Sequence, residues 1–145
     1  MVKQNQDDNR LQELFTLQGQ SPWLDNLRRD RLTNGELQSW IDKGIRGVTS
    51  NPSIFQKAIE GSNDYDQQFF ALMADGFSVK DAYWELVTTD INGALDVLQD
   101  LYVTSHGKDG FVSVEVDPSL AHDTKATTTA ALDLSNKIDR PNLMV

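Results

Sequence analysis

The 145-residue chain contains no cysteine. That excludes disulfides, thiolate catalysis and thiolate-ligated metal centres. It has no apolar run approaching the ~18 residues of a membrane span. Its first ten residues, MVKQNQDDNR, are polar and carry no secretory signal. No basic face is visible: the net charge is −9, and the one cationic cluster, Arg28 to Arg31, is interrupted by Asp30. A nucleic-acid partner is therefore not expected. The cluster reads as a solvated helix or loop. His106 and His122 have no companions at metal-ligand spacing, so no metal site is expected. A soluble cytoplasmic protein of one domain follows from length and composition.

What is present alternates. Residues 1–9 read as a frayed tail. Leu11, Leu14, Phe15 and Leu17 mark a short amphipathic helix ended by Gly19, so residues 1–20 form an N-terminal extension. Residues 21–27 suggest a strand. Thr33 or Asn34 is placed to cap a helix running to Asp42, and residues 45–50 suggest a second strand. Pro52 suits the first turn of a helix ended by Gly61. Asn63 or Asp64 could cap the next helix, and Ser78 a long one to about Ser105. Residues 111–116 are the clearest strand, Asp123 or Thr124 caps a helix to about Ile138, and PNLMV, 141–145, opens a fourth strand. This order predicts an α/β fold with parallel strands over residues 21–145.

Three strands carry a polar residue near their C-terminal ends: Asp25, Asn51 and Glu115. Side chains alternate along a strand, so Val112, Val114 and Val116 share one face while Ser113, Glu115 and Asp117 share the other. By the same parity Thr49 goes with Asn51. In parallel α/β barrels this end of the strands is where active sites are built. Structural roles compete: Asp25 could cap a turn, Asn51 could hold the Asn-Pro corner, and Glu115 could pair with an arginine. Periodicity alone leaves the chemistry open.

The spelling narrows it. GVTSNPSIF at 47–55, SPWLDNLRRDRL at 21–32, VSVEVDPSLAHDT at 112–124 and RPNLMV at 140–145 occur in the order found in the transaldolase family, and the chain resembles the N-terminal portion of its longer bacterial type. The resemblance implies a (β/α)8 barrel, of which this sequence would supply the first three βα units and the start of strand four. It implies transfer of a dihydroxyacetone unit between sugar phosphates (sedoheptulose 7-phosphate, glyceraldehyde 3-phosphate, fructose 6-phosphate and erythrose 4-phosphate) in the pentose phosphate pathway. It also implies a lysine Schiff base and no metal or organic cofactor. Asp25 would move the proton of the C4 hydroxyl, Glu115 would act through a water, and Asn51, beside Thr49, would hydrogen-bond the dihydroxyacetone unit. A fructose-6-phosphate aldolase-like lyase and a non-catalytic half-barrel module are the alternatives.

The sequence departs from the family at one point. The family's fourth strand continues into the Schiff-base lysine, whereas these residues end at Val145. Asn142 and Met144 are expected to share a face with the position that follows, making that position inward. Of the seven lysines, Lys43, Lys57, Lys80 and Lys137 fall in helices, Lys3 in the tail and Lys108 in a loop. Lys125 opens a helix and could reach the barrel rim. A Schiff-base lysine needs a desolvated site to lower its pKa, which a helix surface does not offer. The 145 residues alone are expected to be inactive and marginally stable, or to associate with themselves.

Overall fold

The computed structural model describes residues 10–145, so the expected frayed tail and Lys3 lie outside the described residues. The elements run α1 Arg10–Gln18, β1 Trp23–Asp25, α2 Arg29–Thr33, α3 Glu36–Asp42, β2 Gly47–Thr49, α4 Pro52–Glu60, α5 Asp66–Ala74, α6 Val79–Thr104, β3 Phe111–Ser113, α7 Thr124–Ile138 and β4 Leu143–Met144. The four strands form one parallel sheet in the order β1-β2-β3-β4. Strands in sequence order, joined by helical crossovers, are the arrangement of the opening segments of a (β/α)8 barrel.

The register separates the two faces of the sheet. Leu24, Val48, Val112 and Leu143 are successive cross-strand partners. They pack against Val87, Ile91, Ala94, Leu95 and Leu98 of α6 in the main core. Each fully buried aliphatic side chain there contributes about 1.5–3 kcal/mol. α6 is long enough for this because Ser78 caps it: its side chain accepts from the Asp81 N–H at 3.1 Å.

Two clusters of charge fix the ends of the sheet. At the N-terminal end, Arg46 donates to Asp109 at 2.8 Å, and its guanidinium lies 3.6 Å from the centre of the Phe15 ring. Ser21 also donates to Asp109. The strand entries and α1 are thus tied together. Beyond β1, Arg29 donates to the buried Asp90 at 2.7 Å, and the Tyr65 hydroxyl donates to its other oxygen at 2.8 Å. Burial pushes the Asp90 carboxyl and the Tyr65 hydroxyl above their ordinary values; for Asp90 the bonds from Arg29 and Tyr65 act the other way.

Several local expectations are corrected. The Arg28–Arg31 cluster is not uniformly solvated, since Arg29 is spent on Asp90 and Tyr65. The helix expected from Thr33 or Asn34 to Asp42 starts later, at Glu36, with Gly35 at its N-cap. Thr33 closes α2, and Asn34 accepts from the Glu36 N–H at 2.8 Å across Gly35, whose φ of +81° only glycine adopts readily. Ser62, not Asn63 or Asp64, caps the turn before α5. The third strand is shorter than 111–116 and ends at Ser113. Other starts and stops hold: α4 begins at Pro52 with Gly61 at its end, and Asp123 caps α7.

Candidate functional site at the strand ends

Opposite the core row lies a second row. Asp25, Thr49, Ser113 and Met144 are successive cross-strand partners on the other face. With strands about 4.8 Å apart, the row spans roughly 14 Å. Below it Trp23 pairs with Gly47, and Gly47 with Phe111. The Trp23 indole lies against Gly47, so that a side chain there would meet the ring at 2.4 Å. Trp23 therefore forms a floor beneath Asp25, and the glycine makes room for it.

Asp25 and Glu115 are exposed, and among the described residues neither makes a hydrogen bond or ion pair. Neither alternative role for them, turn cap or arginine partner, is seen. Asn51 differs. Its Oδ1 accepts from the Ile54 N–H at 3.0 Å, capping α4. The corner-holding role is real, and it consumes the acceptor side of the amide. Its Nδ2 has no protein partner among the described residues and remains a donor. Asn51 and Glu115 border the same narrow crevice, together with Ser50 and Val114. Ser50 itself is buried and donates to the Ser113 carbonyl at 2.9 Å, which locks β2 against β3 just below this pair.

The Asn142 parity is overturned. Asn142 precedes β4, in a turn, and is fully buried. Its Nδ2 donates to the Leu95 and Gly110 carbonyls, both at 3.1 Å. It reaches back to α6, on the core side, because strand alternation begins only at Leu143. Met144, paired with Ser113, does lie on the face of Asp25 and Thr49.

The lysine expectations change in one respect. Lys125 is exposed on α7. Lys80, in the first turn of α6, is the lysine that reaches the strand ends. Its Nζ lies 2.9 Å from Asp117, two residues beyond Glu115. Its signal was Ser78: a residue in the first turn after that cap stands at the same end of the sheet as the C-termini of the strands. Hydrogen bonds from Ser119 and Lys80 pull the Asp117 carboxyl down to about 2, and the pairing commits Lys80 Nζ to that carboxylate. His122 is exposed in the turn before α7 and caps no helix. A cleft of about 590 Å³ lies between α4 and α6 and is lined by Pro52, Gln56, Lys80, Tyr83, Trp84 and Asp117; none of Asp25, Thr49, Asn51 or Glu115 opens into it. Among the described residues, no group of three or more His, Cys, Asp or Glu could hold a metal ion, and no helix is long and apolar enough to cross a membrane.

Comparison with known proteins points the same way. A family model described as "Transaldolase/Fructose-6-phosphate aldolase" matches residues 22–145. The chain is 52% identical over 128 residues to a transaldolase of Saccharopolyspora erythraea. It is 48% identical over 129 residues to transaldolase 1 of Streptomyces coelicolor, and 49% identical over 128 residues to a transaldolase of Mycobacterium leprae. Each match covers 88% of this chain but 34% of the relative, so the chain spans about a third of the length of the curated relatives it matches.

Proposed function

Since the chain belongs to the transaldolase/fructose-6-phosphate aldolase family, we propose that it forms the first three βα units and the start of strand four of a transaldolase barrel and contributes its proton-handling and substrate-orienting groups. The observation that supports this is the cross-strand row Asp25–Thr49–Ser113 on the face away from the core, with Asn51 and Glu115 two residues further along their chains. Asp25, unpaired and above a tryptophan floor, takes the C4 hydroxyl proton as the carbon–carbon bond of a ketose phosphate breaks, and returns it in the reverse direction. A carboxylate free of internal partners is available for this transfer. Glu115 orders and deprotonates a water during formation and breakdown of the carbinolamine. Asn51, with Oδ1 committed to the α4 cap, presents Nδ2 as a fixed donor to a hydroxyl of the dihydroxyacetone unit, and Thr49 lies beside it.

The amine that forms the imine is not among these groups. Lys80 is paired with Asp117, and Lys43, Lys57, Lys125 and Lys137 are exposed helix or helix-end residues. In this reading the 145 residues bind and orient but do not catalyse. The reaction draws on no metal or organic cofactor, its substrates are sugar phosphates of the pentose phosphate pathway, and it takes place in the cytoplasm.

Borohydride trapping with fructose 6-phosphate tests the reading. The 145-residue chain should give no covalent adduct. A fusion of residues 1–145 to the following segment of the Saccharopolyspora erythraea transaldolase should give one, with transfer activity that falls at least a hundredfold on Asp25→Asn, the lower end of what a positioned acid–base group supplies. An adduct on the 145 residues alone sinks the claim of incompetence. Aldol cleavage without transfer by the fusion would favour the aldolase branch of the family.

A further inference from the structure

A cleft of about 290 Å³ lies between the turn that follows β1 and α4, lined by Asn26, Arg28, Ile54, Lys57 and Ala58. None of Asp25, Thr49, Asn51 or Glu115 lines it, and the β4 edge takes no part. At ~30 Å³ per water it has room for on the order of ten waters, enough for an anion carrying a short carbon chain. No carboxylate lines it, in a chain whose net charge is −9. Lys57 is exposed and makes no hydrogen bond or ion pair among the described residues. Arg28 gives Nη2 to Asp30 at 2.8 Å, and its Nε and Nη1 hydrogens have no partner among the described residues. Asn26 makes no hydrogen bond there either, and its Oδ1 is buried without a donor. A buried acceptor left in this state is destabilising, and such atoms are rare in folded proteins. The amide is thus held at the cleft with no structural bond in return, and its Nδ2 remains a donor.

We propose that this cleft is a binding site for a small phosphate monoester, held by Lys57, Arg28 and the Asn26 amide. A phosphate monoester carries close to two negative charges at neutral pH and three strong acceptor oxygens, one for each of these side chains. The guanidinium offers a planar fork and the ammonium a point charge, and both suit phosphate. Two cations lining one small cleft repel each other, and a bound dianion relieves that repulsion. Ile54 and Ala58 stand one turn apart on α4, on the same face of the helix. They give the esterified carbon chain an apolar wall. The cleft is separate from the strand-end row, so the proposal does not rest on the proton-handling roles of Asp25 and Glu115.

Glycerol 2-phosphate is the probe, because it has no carbonyl and cannot enter imine chemistry. Isothermal titration of the 145-residue chain is run at low ionic strength, since salt screens an exposed site. It should show one site for glycerol 2-phosphate, with inorganic phosphate weaker and acetate weaker still. Lys57→Gln should weaken binding of glycerol 2-phosphate at least tenfold, the loss of one charge-assisted hydrogen bond, and Lys57→Arg should keep most of it. Lys108→Gln, at an exposed loop lysine, makes the same change in net charge and should alter the affinity less than twofold. Lys57 is itself exposed, so the thermal midpoint of Lys57→Gln without ligand should match that of the unmodified chain. Absence of a binding isotherm overturns the proposal, as does equal weakening by Lys57→Gln and Lys108→Gln. Acetate as tight as glycerol 2-phosphate overturns it too. A loss on Asp25→Asn as large as that on Lys57→Gln would place the anion at the strand-end row instead, and would leave the roles given to that row standing while removing this site.

Discussion

Arg29 Nε donates to Asp90 Oδ1 at 2.7 Å, joining the first residue of α2 to the middle of α6. The pair is closed on its other side by Tyr65, which also accepts from the Arg29 N–H at 3.1 Å and carries the guanidinium 4.4 Å from its ring centre. Asp90 is 1% exposed, so removing one partner strands a charge in the core. Arg29→Ala, which leaves the Asp90 carboxylate without its cation, should cost about 3–5 kcal/mol, read as a drop in the urea midpoint. Tyr65→Phe removes one neutral donor and leaves the ion pair, and should cost about 1–2 kcal/mol. Equal losses from the two variants would show that Arg29 does not hold Asp90 as described.

That cluster also marks where the sequence stops being legible. Arg29 belongs to the one basic run, and its position says nothing of Asp90, 61 residues away, or of Tyr65. Long-range polar pairing has no periodicity. The pieces that were readable carry local chemistry: Ser78 before a helical run, Pro52 after an extended asparagine, Gly61 and Asp123 at helix ends. Side-chain alternation correctly separated Val112 and Val114 from Ser113 and Glu115, because it depends on backbone geometry alone. It failed at Asn142, where the strand had not yet begun and a buried amide found the Leu95 and Gly110 carbonyls instead. The candidate site was legible as residue types at strand ends. What was not legible is that Asn51 divides its amide between a helix cap and a free donor, or that Trp23 floors the site over Gly47.

The Trp23–Gly47 contact gives the second prediction. A Cβ at Gly47 would lie 2.4 Å from Trp23 Cε2, too close for any real pair. Gly47→Ala must displace the indole and should cost about 1–3 kcal/mol, the usual range for overpacking. Trp23→Leu in the same chain should recover part of that loss by vacating the space. Thermal unfolding of the two single variants and the double variant reads the coupling. Additive losses would mean the ring and the glycine are independent.

Asp117 gives a pH dependence of defined sign. Its carboxyl is held down at about 2, against an ordinary value of 3.8, by hydrogen bonds from Ser119 and Lys80. A depressed carboxyl stabilises the fold above its unfolded pKa and loses that contribution as pH falls. Because Lys80 is 70% exposed, solvent screening limits the effect to no more than about 1 kcal/mol. Asp117→Asn should thus lower stability at pH 6, and the gap to the unmodified chain should close between pH 3.8 and about 2. A gap that is constant across this range would assign the loss to packing.

Asn51 has two roles that one substitution can part. Its Oδ1 caps α4 through the Ile54 N–H, and its Nδ2 is the donor assigned to the dihydroxyacetone unit. Asn51→Ala removes both and should cost about 1 kcal/mol of stability, the typical worth of an N-cap. Asn51→Asp keeps an acceptor at the cap and places a negative charge at a helix N-terminus, where the helix dipole favours it. Its urea midpoint should match that of the unmodified chain. In the fused enzyme, however, Asn51→Asp has lost the Nδ2 donor and puts a carboxylate against a substrate hydroxyl. It should therefore raise KM for fructose 6-phosphate while the fold stays intact. If Asn51→Asp loses as much stability as Asn51→Ala, the cap does not explain the corner. If it binds and turns over fructose 6-phosphate normally, the amide is not the donor and Thr49 becomes the residue to test.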